Sequence, residues 1–286
     1  MFATRQPPRE GAATLESLHG GIVVTFVAPA GWTLAAALGA GGSFRVARVR
    51  NAAGVVAIAR RPRAHESAVA SLTRHDAVLS ALQGQSVVPR RLDAGEDDYG
   101  PFAIESEAPG IPLASLVARS GALPNDLALA LARAAFEALA TLHAAADARG
   151  PLGFVHADLG PDHLFVAPTP DAGVTLIDFG LACVRGLSPL SPDVRGTMPY
   201  VAPERARGEG TPAPSADVYA LGATFLFALS GRPPGASHPA ALVALGERGL
   251  DLPPVPAGPL RRALTAALRF DAVHRPSPSE IVGLLT

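Results

Sequence analysis

Two aspartates, each set beside a short apolar run, constrain this chain more than any other feature. The first lies in "HADLGPDHLFV" (156–166) and the second in "LIDFG" (176–180). "HLFV" follows the first acid and "VTLI" precedes the second, so two short strands flank the pair. A histidine, an aspartate two residues on, a strand and a second aspartate before Phe-Gly suggest chemistry on a phosphate.

Composition narrows what can surround them. At 286 residues the chain makes one large domain or two lobes of ordinary size. Its hydrophobic content of 48% suffices for a core, and 17% charged residues argues against disorder. The net charge of −1 makes no global case for nucleic acid. Every basic residue apart from histidine is arginine, with no lysine anywhere. Cys183 stands alone, which rules out an internal disulfide framework and fits a reducing cytosol. "MFATRQPPREG" lacks the apolar core of a secretory signal, and "GGIVVTFVAPAGW" (20–32) is too short to span a bilayer. A cytoplasmic, membrane-free protein is expected.

Hydrophobic periodicity then orders the elements. Residues 1–31 read as a lead-in with one strand. "FRVARVR" (44–50) and "GVVAIAR" (54–60) read as strands joined by the turn-forming "NAAG". Apolar residues at helical spacing predict a helix over 66–82, with Gly84 as its stop, and "GPFAIES" (100–106) reads as another strand. Beyond "EAPG" (107–110) helices dominate. Pro124-Asn125-Asp126 begins an alanine-rich helix, 215–231 is an apolar helix closed by Gly231, and two more helices end the chain around "RPSPS". The expected class is α+β and bilobal: a strand-rich lobe over 32–107 and a larger helical lobe over 108–286.

The ordered series "LGAGGSFRV", "GVVAIA", "HADLGPDH", "DFG", "GTMPYVAPE", "DVYALG" and "RPS" resembles a bacterial, eukaryotic-like Ser/Thr protein kinase across residues 33 to 285. The resemblance implies ATP with Mg or Mn as cofactor and a protein partner or protein substrate, with no nucleic acid and no membrane. Phosphoryl transfer needs a base near the attacking hydroxyl and a metal on the donor phosphates. The resemblance gives Asp158 the base's place and Asp178 the metal's, with Thr197 contacting the base. It gives Gly39, Gly41, Gly42, Val46 and Ala57 to the nucleotide. "GTMPYVAPE" resembles the ledge on which such kinases lay a peptide. Glu204 and Arg275 match an ion pair that pins that ledge, and Asp217 matches a carboxylate holding the catalytic-loop backbone, above His156.

Departures from the pattern bear on activity. The family's strand lysine grips donor phosphates and pairs with a helix glutamate; here Ala59 is expected at the lysine's position and His75 at the glutamate's, with Asp76 beside it. Arg45, Arg48, Arg60 and Arg61 lie near, but alternation puts Arg60 on the face opposite Ala59. Gly160 corresponds to the catalytic-loop lysine, and Phe44 to the third glycine of the phosphate loop. His163 replaces the metal-binding asparagine, either as a metal ligand or as a hydrogen-bond partner of Asp158. Ala157 replaces an arginine that reads activation-segment phosphate, so no such switch is expected at Ser188 or Ser191. Either Ile104 or Glu105 guards the adenine position. Cys183 reads as a packed small hydrophobe. The expectation is a pseudokinase acting through protein contacts. The alternatives are an active Ser/Thr kinase with a rearranged site and, behind it, a small-molecule phosphotransferase.

Overall fold

A computed structural model describes residues 17–19, 22–24, 26–40, 42–167, 173–188, 196–235, 238–250 and 255–286. Contacts divide the chain into two units. The first comprises 1–76 and 91–107, and the second 77–90 and 108–286. The expected first lobe is therefore discontinuous in sequence, because 77–90 groups with the second unit.

The first unit holds the short hairpin β1 (Ser17–His19) and β2 (Ile22–Val24), then β3 (Trp32–Ala40), β4 (Phe44–Asn51), β5 (Val56–Pro62), β6 (Arg91–Asp97) and β7 (Gly100–Ser106). The last five form an antiparallel sheet in the order β3-β4-β5-β7-β6. Asn51 closes the predicted turn: its carbonyl accepts from Gly54 N at 2.9 Å and its side chain from Val55 N at 2.9 Å. Gly54 takes φ +82°, a conformation that favours glycine.

Strand alternation gives the sheet two distinct faces. Val49 pairs with Ala57 and Ala47 with Ala59, and these four pack with Ile104 around Phe26. Val46 pairs with Arg60, and their face carries Phe44, Ala103 and Leu72. Leu72 belongs to helix α1 (Glu66–Ala81), whose residues to Asp76 lie in this unit. The small residues Ala47, Ala57 and Ala59 thus floor the side chain of Phe26, which is 1% exposed. Burying such a ring stabilises by roughly 1.5–3 kcal/mol.

The second unit is built on helices. After β8 (Ile111–Pro112) come α2 (Leu113–Ser120) and α3 (Asn125–His143), the short β9 (Ala146–Asp147) and β10 (Gly150–Pro151), then β11 (Leu164–Val166) and β12 (Val174–Leu176). These are followed by α4 (Pro203–Ala206), α5 (Pro214–Ser230), α6 (Pro239–Arg248), α7 (Pro259–Ala267), a 3-10 turn (Ala272–His274) and α8 (Pro278–Leu284). Helix α5 has no polar face over most of its length, so it is buried between its neighbours. Gly231 ends it in the left-handed region at φ +69°. Ser277 and Glu280 form a capping box at the start of α8. The α+β class read from the sequence is the one observed.

Candidate active site

The Asp158 loop is held from below by α5. Asp217, in its first turn, accepts from His156 N at 2.7 Å and Ala157 N at 2.9 Å, and bonds His143 Nε2 at 3.0 Å. The carboxylate is 1% exposed, so these bonds satisfy groups that water cannot reach. Ala157 is forced to φ +64°, a strained setting for a residue with a Cβ. The loop then turns so that Asp158 Oδ1 accepts from Thr197 N at 2.7 Å. Gly196 permits this approach, since a Cβ there would lie 2.8 Å from Ala157 O and 3.3 Å from Asp158 Oδ1. Thr197 thus meets Asp158, through its backbone amide.

Strands β11 and β12 pair antiparallel, Leu164 with Leu176 and Val166 with Val174. Ile177 N also donates to His163 O at 3.0 Å, which brings the residue before Asp178 beside His163. Asp178 sits at φ +66°, the second non-glycine residue with positive φ among those described. His163 Nδ1–H donates to Asp158 O at 2.7 Å, so in the neutral ring the lone pair is on Nε2, which lies 3.9 Å from Asp178 Oδ2. Burial opposes a charged His163 ring, but the Asp158 and Asp178 carboxylates outweigh it and raise the ring above the ordinary histidine value. His156, stacked on His163 with ring centroids 6.3 Å apart, is pushed down by burial.

For the family's divalent cation, the donors offered here are the Asp178 carboxylate and His163 Nε2. No group of three or more His, Cys, Asp or Glu among the described residues is arranged to hold an ion. The pair fits an ion that takes its remaining ligands from water and phosphate, as magnesium and manganese do.

The ledge is pinned as the ion pair requires. Arg275 Nη1 and Nη2 donate to the two Glu204 oxygens at 2.7 Å each, and the guanidinium lies 4.8 Å above the Tyr219 ring. Its remaining donors meet the carbonyls of Arg269, Ser215 and Phe270. Beside the ledge, Met198, Pro199, Ala241, Leu245, Arg248 and Leu250 line a groove of the second unit that is about half polar.

In the first unit the structure corrects the sequence reading. Ala59 lies under Phe26, on the face away from Leu72 and α1, and Ala57 is beside it. Ala57 and Val46 therefore occupy opposite faces, so the two do not line one surface as the expected set requires. Arg60 is the residue that shares a face with Val46, directly across the ladder. Its Nε donates to Glu105 Oε1 at 3.0 Å, and His75 Nε2 meets Glu105 Oε2 at 2.7 Å. The expectation that Arg60 faces away from Ala59 holds, but the face it takes is the helix side.

The other three arginines are engaged elsewhere. Arg61, on the Phe26 face, donates to Val27 O, Asp97 and Gly100 O. Arg48 pairs with Glu107, and Arg45 donates to Pro62 O at 3.2 Å. Phe44, at the third glycine's position, turns its ring inward, 5.8 Å from the Arg60 guanidinium. Gly39 pairs with Val46 at the end of β3, and Gly42 has open space where a side chain would be. Gly41 and Ser191 lie outside the described residues.

A family model described as "Protein kinase domain" matches residues 32–247. Serine/threonine-protein kinase PknA of Mycobacterium tuberculosis is 36% identical over 149 residues, 51% of this chain and 32% of that protein. Serine/threonine-protein kinase AfsK of Streptomyces coelicolor is 30% identical over 196 residues, 66% of this chain and 23% of that protein. "Serine/threonine-protein kinases drp72" of Corynebacterium efficiens is 33% identical over 171 residues, 58% and 31% respectively. The matched region spans less than a third of each of these relatives.

Proposed function

Since this chain belongs to the protein kinase family, we propose that it works as a pseudokinase: a Ser/Thr-kinase-shaped module that recognises a protein partner, holds a nucleotide and transfers little or no phosphate. Gly160 carries this reading. The catalytic-loop position that holds a lysine in the family has no side chain, and the Asp158 carboxylate accepts from the Thr197 amide, with His163 Nδ1 3.8 Å from its other oxygen. Removing one preorganised charge from such a site costs about 10²–10³ in rate. His163 in the asparagine's place weakens a magnesium site further.

Arg60 changes the other half of the case. The strand cation is relocated rather than absent, so nucleotide binding is retained in this proposal, with Val46 and Arg60 on one face of the first unit and Asp178 and His163 as metal donors in the second. ATP with Mg or Mn is the cofactor the family implies. The pinned ledge favours a protein partner over a small molecule. No helix among the described residues is long and apolar enough to cross a membrane. A cytoplasmic setting goes with the proposal, supported by a cysteine content of one, which allows no internal disulfide.

The second reading is an active Ser/Thr kinase using Arg60 in the lysine's role. It is favoured by the left-handed Asp178 and by Asp158 accepting from the Thr197 amide. Radiolabelled-phosphate transfer from ATP, with Mg²⁺ and with Mn²⁺, separates the two. The proposal expects the wild type to match Asp158→Ala. Transfer that Asp158→Ala abolishes would establish the second reading.

A further inference from the structure

In protein kinases the strand cation pairs with a glutamate on the neighbouring helix, so helix position decides whether the pair is made. Here the helix position holds His75, and the carboxylate comes from β7. Glu105 Oε1 accepts from Arg60 Nε at 3.0 Å and lies 2.9 Å from Nη2. The same carboxylate meets His75 Nε2 through its other oxygen at 2.7 Å. Arg60 and Glu105 are 5% and 3% exposed, and His75 is fully buried. Phe44 packs over the group, its ring 6.2 Å from that of His75.

The ladder supplies the rigidity. β5 and β7 pair antiparallel with Ile58 opposite Glu105 and Arg60 opposite Ala103. Guanidinium and carboxylate therefore stand on one face, on diagonal neighbours of adjacent strands, where long side chains reach each other. Burial works against the ionised Glu105, but the charges of Arg60 and His75 hold its carboxyl below the usual range.

We infer that Glu105 is the positioning residue for Arg60, so that the sheet itself, and not helix α1, places the cation, while His75 docks the helix onto a carboxylate already engaged. The use of that cation rests on the nucleotide-binding reading above; the pairing does not. Moving α1 away from the sheet would break the His75 bond and leave Arg60–Glu105 intact. The helix-governed control of the family is thereby uncoupled from the cation. A further tether, Arg91 Nε to Asp76 Oδ1 at 2.7 Å, holds the next helical residue to β6.

The arginine Nε–H region of a ¹⁵N NMR spectrum tests this without nucleotide, with Arg60 assigned by its loss in Arg60→Lys. In His75→Ala the Arg60 signal should keep its position and its slow exchange, and in Glu105→Gln it should move or vanish. A signal displaced in His75→Ala as far as in Glu105→Gln would overturn the inference. The His75→Ala spectrum alone decides if Glu105→Gln fails to fold. Titration with ATP and Mn²⁺ adds a second readout, in which His75→Ala changes affinity by less than about twofold and Glu105→Gln weakens it about tenfold. Absence of any nucleotide binding by the wild type would sink the proposed function, while the spectra would still decide the role of Glu105.

Discussion

The two places where protein kinases carry a lysine have met different fates in this chain. On the strand, the expected position is Ala59, and Arg60 beside it is a cation paired with Glu105, whose other oxygen meets His75. In the loop, the lysine's position is Gly160, and Pro161 and Asp162 that follow carry no positive charge. A strand offers its two faces to adjacent residues, so a one-residue displacement recovers the right side of the sheet. A tight loop offers no such alternate among its next residues. Degeneracy is thus a property of each position's surroundings as well as of the residue type found there.

Arg60→Met should produce the largest change. It leaves Glu105 and His75 buried without their cation, which costs about 3–5 kcal/mol, measurable by urea denaturation. The double variant Arg60→Met with Glu105→Met should regain most of that loss, and equal stability of the single and double variants would show that the pair is unimportant. Gly160→Lys asks whether the loop is the bottleneck. A Cβ at Gly160 would lie 3.5 Å from the Tyr200 ring, ordinary contact distance, so the side chain is accommodated. Phosphate transfer should rise by about 10²-fold, the value of one preorganised charge. No gain would move the cause of weak turnover away from Gly160.

Ala59→Lys is the complementary test on the strand. It places a long cation on the Phe26 face, so it should cost about 1–3 kcal/mol by overpacking and leave ATP affinity no better. Improved binding would return the lysine's role to position 59.

The smallest effect concerns pH. The raised His163 value means that its ring stabilises the fold below the ordinary histidine value of 6.5, and that this contribution disappears as pH rises through the folded-state value. His156, depressed by burial, acts in the opposite sense and costs stability as pH falls below 6.5. His163→Asn should therefore lower Tm more at about pH 5.5 than at about pH 8.5. An equal loss at both would separate His163 from the two carboxylates.

Much of the second unit was legible in the sequence. Asp158, Thr197, Asp217, Glu204 and Arg275 stand in short motifs that a family resemblance makes recognisable, although their observed bonds join residues 39, 61 and 71 positions apart. Strands β3 and β6 were missed, since "WTLAAALGA" is alanine-rich and "RLDAGED" acidic, with little intrinsic strand preference. Both exist because β4 and β7 offer them partners. The role of Glu105 was hidden for a related reason. It was one of two residues, with Ile104, expected to guard the adenine position, and nothing local indicates that it meets residues 45 and 30 positions away.

The sequence by itself determined the order of the functional residues and the absence of lysine, because spacing along a chain is covalent. It also determined that the lysine's position in the Asp158 loop carries no charge, since no fold can add a side chain to Gly160. Only the tertiary structure decided which of Ala59 and Arg60 joins the helix side of the sheet. Phe26, from a distant segment, buries its ring on the alanines of one face, and packing of that kind fixes strand register where local propensity is indifferent.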